Sequence, residues 1–105
     1  MAQFDVYENP SSTRRGTYPY LVDIQSPVLD ALATRIVLPL GHAAAFNDLS
    51  LDKLTPRITY GDETLLLMTP QVSSIRANLL ANPVGTLAHC REQILGSLDF
   101  AVSGF

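Results

Sequence analysis

Near the start of the chain Phe4 and Val6 alternate with Gln3, Asp5 and Tyr7, and this period of two predicts a strand over 3–7. Residues 8–16, ENPSSTRRG, are loop chemistry: an Asn-Pro step, two serines and a closing glycine. Alternation resumes in YPYLVDIQ over 18–25, with Tyr20, Val22 and Ile24 on one face. Pro19 sits near the beginning of that strand, where a missing N–H is tolerated. Ser26-Pro27 breaks the run, and Val28 and Leu29 follow in the turn.

RIVLPL over 35–40 is a short apolar, β-branched run that reads as a buried strand brought to its end by Pro39. His42 to Phe46 suits a helical turn and 47–55 a surface loop. Residues 57–60 and 63–69, joined by Gly61-Asp62, read as a hairpin with a tight turn. A further strand is expected over 73–80, with Ile75, Ala77 and Leu79 on one side and Asn82-Pro83 punctuating its end. From Val84 onward the period becomes helical. Leu87, Ile94, Leu98, Ala101 and Phe105 fall near one stripe, and Leu95 and Val102 mark a second apolar line beside it. Gly96 inside that helix costs about 1 kcal/mol relative to alanine, a cost that a close approach to the sheet would explain. The pattern predicts a mainly β fold of five or six antiparallel strands followed by one C-terminal α-helix, in one domain over 1–105.

Composition sharpens this picture in two ways. Apolar residues make up 47% of the 105, enough for a packed core, while only 16% are charged. A small domain with so few charges has difficulty covering its apolar surface, so a homodimer or a sticky binding face is expected. The formal net charge of −3, from ten acidic residues against six arginines and one lysine, argues against a broad basic face for nucleic acid. A single cysteine, Cys90, excludes an internal disulfide and suits a reducing compartment. MAQFDVYENP lacks the positive leader and apolar stretch of a signal peptide, and no run approaches the roughly 18 apolar residues that span a bilayer. A soluble cytoplasmic protein without membrane contact is the expectation.

Candidate chemistry is sparse. His89 and Cys90 are adjacent on the expected helix, so their side chains diverge by about 100° and do not pair as base and nucleophile. A Cys90–His42 pair would have to arise from tertiary folding, and a buried structural cysteine is the simpler reading. Two histidines and one cysteine without ligand spacing make a poor zinc set, so no metal is expected. Asp62-Glu63 forms a carboxylate pair of the kind hairpin turns attract for conformational reasons. The six glycines are scattered and build no phosphate loop, so no cofactor is expected either. Arg14-Arg15 is either a solvated pair or an anchor for an acidic partner segment. The closing SLDFAVSGF carries more information. Its last apolar residues either tuck into the core or a dimer seam, or protrude into a partner, with Gly104 permitting close backbone approach.

Four stretches, QFDVYEN, YLVDIQSPVLDALATRIVLPL, ITYGDETLLLMTPQVSSI and the terminal SGF, resemble the CcdB family of toxin–antitoxin systems, in the family's order and near its spacing over essentially the whole chain. VDIQS, followed by an apolar pair, an aspartate and then TRIVLPL, is the most specific part. The resemblance implies a small SH3-like antiparallel barrel or sheet of the CcdB and MazF type, closed by a C-terminal helix and assembled as a homodimer. It implies a non-enzymatic toxin that binds the A subunit of DNA gyrase and traps the cleaved gyrase–DNA complex. A CcdA-like antitoxin with an extended acidic tail would neutralise it, and DNA would be reached only through that antitoxin when the complex represses its own operon.

The family's gyrase contacts, carried onto this chain, fall on Val28 and Leu29 after VDIQS and on Asp99, Val102, Ser103, Gly104 and Phe105 at the helix end. The best-known members end in tryptophan, glycine and isoleucine; here Ser103 and Phe105 stand at the outer two of those places, which removes an indole anchor and supplies a different aromatic. Arg14 and Arg15 lie in the arginine-bearing first loop where the family meets its antitoxin. Two rivals are a MazF/Kid-like ribonuclease toxin and a non-toxic homologue that retains only antitoxin binding.

Overall fold

The alternation of the N-terminal half translates into strands around one long central member. In a computed structural model, which describes residues 2–46 and 53–104, these are β1 (Asp5–Glu8), β2 (Tyr20–Asp23) and β3 (Thr34–His42), followed by β4 (Arg57–Tyr60), β5 (Glu63–Leu67), β6 (Ser73–Arg76) and β7 (Gly85–Thr86). They form one antiparallel sheet in the order β4-β5-β3-β2-β1-β7, with β6 also paired to β3. β2 lies along one edge of β3, while β6 and β5 share the other: Val37 sits opposite Ser73, and Leu40 opposite Leu67. The sheet curls into a half-barrel, and a single α-helix, α1 (Arg91–Ser103), follows at the C-terminus.

The period-two pattern sorts side chains to two faces. Val6, Val22, Leu38, Leu40, Ile58, Leu65 and Leu67 form the main core, joined by Phe4, Leu87 and the helix residue Ile94. Tyr7, Leu21, Val37 and Leu80 make a second, smaller cluster, with Ile75 packed on it. Of the helix, Ile94 and Ser97 are buried and Leu98 is half-buried against the main core. It packs against the short 3₁₀ turn at Thr69–Gln71 and continues directly from the one at Ala88–Cys90.

Several boundaries differ from the sequence expectation. β3 runs through Pro39 to His42 instead of ending there. Pro39 falls where the edge of β3 changes partner from β6 to β5, so the ladder needs no N–H from it; its carbonyl accepts from Met68 N–H at 2.9 Å. The strand expected over 73–80 stops at Arg76, because a 3₁₀ turn at Ala77–Leu79 shifts the phase and buries Leu80 while leaving Leu79 exposed. The helical period from Val84 also misleads. Leu87 reaches the core from a two-residue strand and a 3₁₀ turn, and the α-helix begins only at Arg91. Ala101 is exposed rather than part of a buried stripe. Gly96 makes no close approach, since a Cβ built there meets nothing within 4 Å. The helical turn expected at 42–46 appears as a 3₁₀ turn at Ala43–Phe46, and the hairpin turns at Gly61-Asp62 with φ of 61° at Gly61. Most of the loop expected over 47–55 lies outside the described residues. No helix among the described residues is long and apolar enough to cross a membrane.

Candidate partner-binding site

Two exposed apolar features stand out on this frame. The first is the 3₁₀ turn Pro27–Leu29 between β2 and β3. Ser26 caps it, its Oγ accepting Val28 N–H at 3.3 Å, and Pro27 supplies a fixed φ at the first helical position. Leu29 N–H donates to Ser26 O at 2.9 Å and Asp30 N–H to Pro27 O at 3.1 Å, closing the turn. Val28 is 88% exposed and Leu29 42%, with Leu32 also exposed just beyond. A turn this well bonded that leaves its apolar side chains in water has an unusual surface.

The end of α1 is the second feature. Val102 is 87% exposed, and Asp99, Ala101, Ser103 and Gly104 are exposed as well. Gly104 adopts φ of 80° and its N–H donates to Phe100 O at 2.8 Å, a left-handed helix stop that glycine accepts without penalty. Ser103 Oγ donates to Asp99 O at 2.7 Å, so its hydroxyl is turned back on the helix. Phe105 lies outside the described residues.

The two arginines of the first loop have different roles. Arg15 Nε donates to Asn9 O at 2.8 Å and so buttresses the loop itself. Arg14 lies over the Tyr18 ring, 5.5 Å from its centroid, at the rim of a groove of about 520 Å³. Leu21, Val37 and Pro39 floor that groove, and Gln71 closes one side by donating from Nε2 to the Tyr18 hydroxyl at 3.0 Å. An apolar floor beneath a single cation suits an extended chain with an acidic residue.

No nucleophile–base pair is assembled from the candidates considered. His42 Nδ1 pairs with Glu63 Oε2 across β3 and β5, while Cys90 packs half-buried against the main core. Burial pushes the Cys90 thiol above its ordinary range, the opposite of activation. Among the described residues, no group of three or more His, Cys, Asp or Glu side chains is arranged to hold a metal ion.

Sequence reasoning passed over Asp23, Gln25 and Arg35, which lie beneath the Pro27–Leu29 turn and are almost wholly buried. A signal existed: an aspartate within YLVDIQ and an arginine opening RIVLPL are charges inside apolar strands, and such charges are retained only when paired.

The model of one protein family, described as CcdB protein, matches residues 3–104 of the 105. The match takes in the Pro27–Leu29 turn, the helix end through Gly104, the first loop and the buried charges.

Proposed function

Because this chain belongs to the CcdB family and is thereby a toxin of a toxin–antitoxin system, we propose that it poisons DNA gyrase without catalysing a reaction of its own. In this reading the protein is a cytoplasmic homodimer that binds the gyrase A subunit while the enzyme holds cleaved DNA. It inserts the end of α1 and prevents religation. Val28 and Leu29 form one part of the contact; Asp99, Val102, Ser103, Gly104 and Phe105 form the other. The observation that carries this is the pair of valines left in water, 88% exposed at Val28 and 87% at Val102, each on a well-bonded local frame. Apolar anchors presented on rigid elements are the usual core of a protein–protein hot spot.

Neutralisation by a CcdA-like antitoxin is assigned to the groove beside Arg14, where an extended acidic tail finds an apolar floor and a cation. Arg15 contributes by holding the loop in shape. A net charge of −3 suits a toxin that reaches operator DNA only through its antitoxin.

The test is a gyrase cleavage assay with the full chain and with Ser103 to Phe105 deleted, alongside RNA as a control substrate. The full chain is expected to accumulate cleaved DNA and leave RNA intact; the deletion is expected to lose trapping while keeping fold and dimer. Equal trapping by both forms removes the tail from the mechanism, and RNA cleavage replaces the reading with a ribonuclease.

A further inference from the structure

The turn that carries Val28 and Leu29 is pinned from inside by charge. Arg35 on β3 is 2% exposed and Asp23 on β2 wholly buried. Arg35 Nε donates to Asp23 Oδ2 at 2.8 Å, and Nη2 lies 2.6 Å from the same oxygen. The third nitrogen, Nη1, donates to Asp30 Oδ1 at 2.8 Å, reaching the residue that ends the turn and is half-exposed. Asp23 Oδ1 accepts Gln25 N–H at 2.9 Å. Gln25 Nε2 in turn donates to Leu29 O at 2.9 Å, while its Oε1 accepts Ile36 N–H at 3.1 Å. The Leu29 carbonyl and the Asp30 side chain are therefore tied, by separate bonds, to one buried node between β2 and β3.

Burial alone works against a charged guanidinium, yet its hydrogen bonds to Asp30 and Asp23 hold Arg35 firmly protonated. A buried ion pair is seldom the most stabilising way to fill a core, and apolar residues of similar volume commonly serve as well. Charges kept at this position therefore fit a task that packing does not perform, which is fixing the geometry of a short exposed segment. A surface whose shape is set in advance loses less ordering entropy on binding.

We infer that the Asp23–Arg35–Asp30 clasp, with Gln25, is a positioning device that holds Val28, Leu29 and Leu32 as a fixed apolar ridge for a protein partner. That the partner is the gyrase A subunit rests on the functional reading above. Asp30 and Arg35 touch the ridge's frame rather than the partner, so they act through the turn. Leu32 extends the ridge, since its N–H donates to Leu29 O at 3.0 Å and its side chain is 51% exposed.

Asp30→Ala in the full chain is the sharpest variant, because Asp30 is half-exposed and its loss leaves Arg35 paired with Asp23. Amide hydrogen exchange at Leu29, Asp30 and Leu32 is expected to quicken about tenfold, the size of one charge-assisted hydrogen bond, with β2 and β3 unchanged. Affinity for a gyrase A fragment is expected to fall about tenfold in the parent and not at all in a Val28→Ala/Leu29→Ala/Leu32→Ala background. Asp30→Asn, which keeps the acceptor but not the charge, is expected to fall between parent and Asp30→Ala in both readouts. Unchanged exchange in the turn overturns the clasp. An equal affinity loss in both backgrounds overturns its positioning role, because Asp30 would then touch the partner directly. A loosened turn in a protein that never binds gyrase A supports the clasp and overturns the functional reading instead.

Discussion

The hydroxyl of Thr69 donates to the hydroxyl of Ser97 at 2.9 Å, and Ser97 passes its own proton to Ile94 O at 2.8 Å. Both side chains are buried, Thr69 completely and Ser97 to 2% exposure, at the seam where α1 meets the Thr69–Gln71 turn. Because the bond can be made at one register only, this pair fixes how far the helix slides against the turn. The exposed end of α1 depends on that register, since Ser97 lies five residues before Val102.

Ser97→Ala is accordingly expected to cost about 1–3 kcal/mol, because it leaves the Thr69 hydroxyl buried without its partner. Thr69→Val combined with Ser97→Ala removes both polar groups and is expected to recover most of that loss. Denaturant unfolding of the three variants measures the effect. A double variant as unstable as Ser97→Ala alone would show that the pair does not matter as a pair.

How much of this was legible in the sequence depended on whether the signal was local. Gly61-Asp62 between alternating runs was sufficient for the hairpin, because turn chemistry is decided by the turn residues themselves. The helix start was not, because Leu87 occupies the right place in a helical period while reaching the core from a strand and a 3₁₀ turn. Periodicity records which residues are buried, not the backbone path that buries them. Pro39 misled for a related reason: its consequence depends on which strand faces it, and β3 changes partner at that residue. At the candidate site, the exposed residues were reached through resemblance of short motifs. The clasp beneath them joins Asp23 to Arg35 twelve residues on and to Asp30 between them, a closure that only the β2–β3 pairing creates.

Gly85 offers a test of close packing at the sheet edge. Opposite Val6 in the β1–β7 pair, it leaves no room for a methyl group. A Cβ there would fall on the Tyr60 hydroxyl and 2.9 Å from Tyr60 Cε1. That hydroxyl donates to Val84 O at 3.0 Å, and the Tyr60 ring meets Tyr20 edge-on at 5.1 Å between centroids. Gly85→Ala is expected to displace Tyr60 and cost about 1–3 kcal/mol. In a Tyr60→Leu background the same substitution is expected to cost much less. Equal costs in the two backgrounds would place the clash elsewhere.

Stability is expected to decline in alkali, and the sign follows from three groups. Burial raises the Cys90 thiol; burial, then the charges of Asp5 and Asp23, raise the Tyr7 phenol; burial, then Tyr20, raises Tyr60. Each is neutral when protonated, so the folded state holds its proton more tightly than the unfolded chain does. Stability is then complete below the unfolded values, about 8.5 for cysteine and 10 for tyrosine, and falls as pH rises past them. Among the described residues no protein group bonds the buried Tyr7 hydroxyl. Tyr7→Phe is therefore expected to be neutral or stabilising at pH 7 and to flatten the alkaline decline in unfolding measurements. A loss above about 1 kcal/mol at pH 7 would mean that the hydroxyl makes a bond worth keeping.

Val28 and Val102 separate binding from folding. With nearly nine-tenths of each side chain in water, Val28→Asp and Val102→Asp are expected to change unfolding free energy by no more than about 0.5 kcal/mol, as ordinary surface substitutions do. Val102→Asp also places a carboxylate in the last turn of α1, where the helix dipole opposes it, at a cost of about 0.3 kcal/mol at so exposed a position, within that limit. Their effect on gyrase is expected to be far larger, since a charge driven into an apolar contact loses its hydration without gaining a partner. Loss of growth inhibition in cells with sensitive gyrase, combined with an unchanged melting temperature, is the expected pattern for both. If either variant stays fully toxic, that valine lies outside the contact, and the two patches do not engage the same partner.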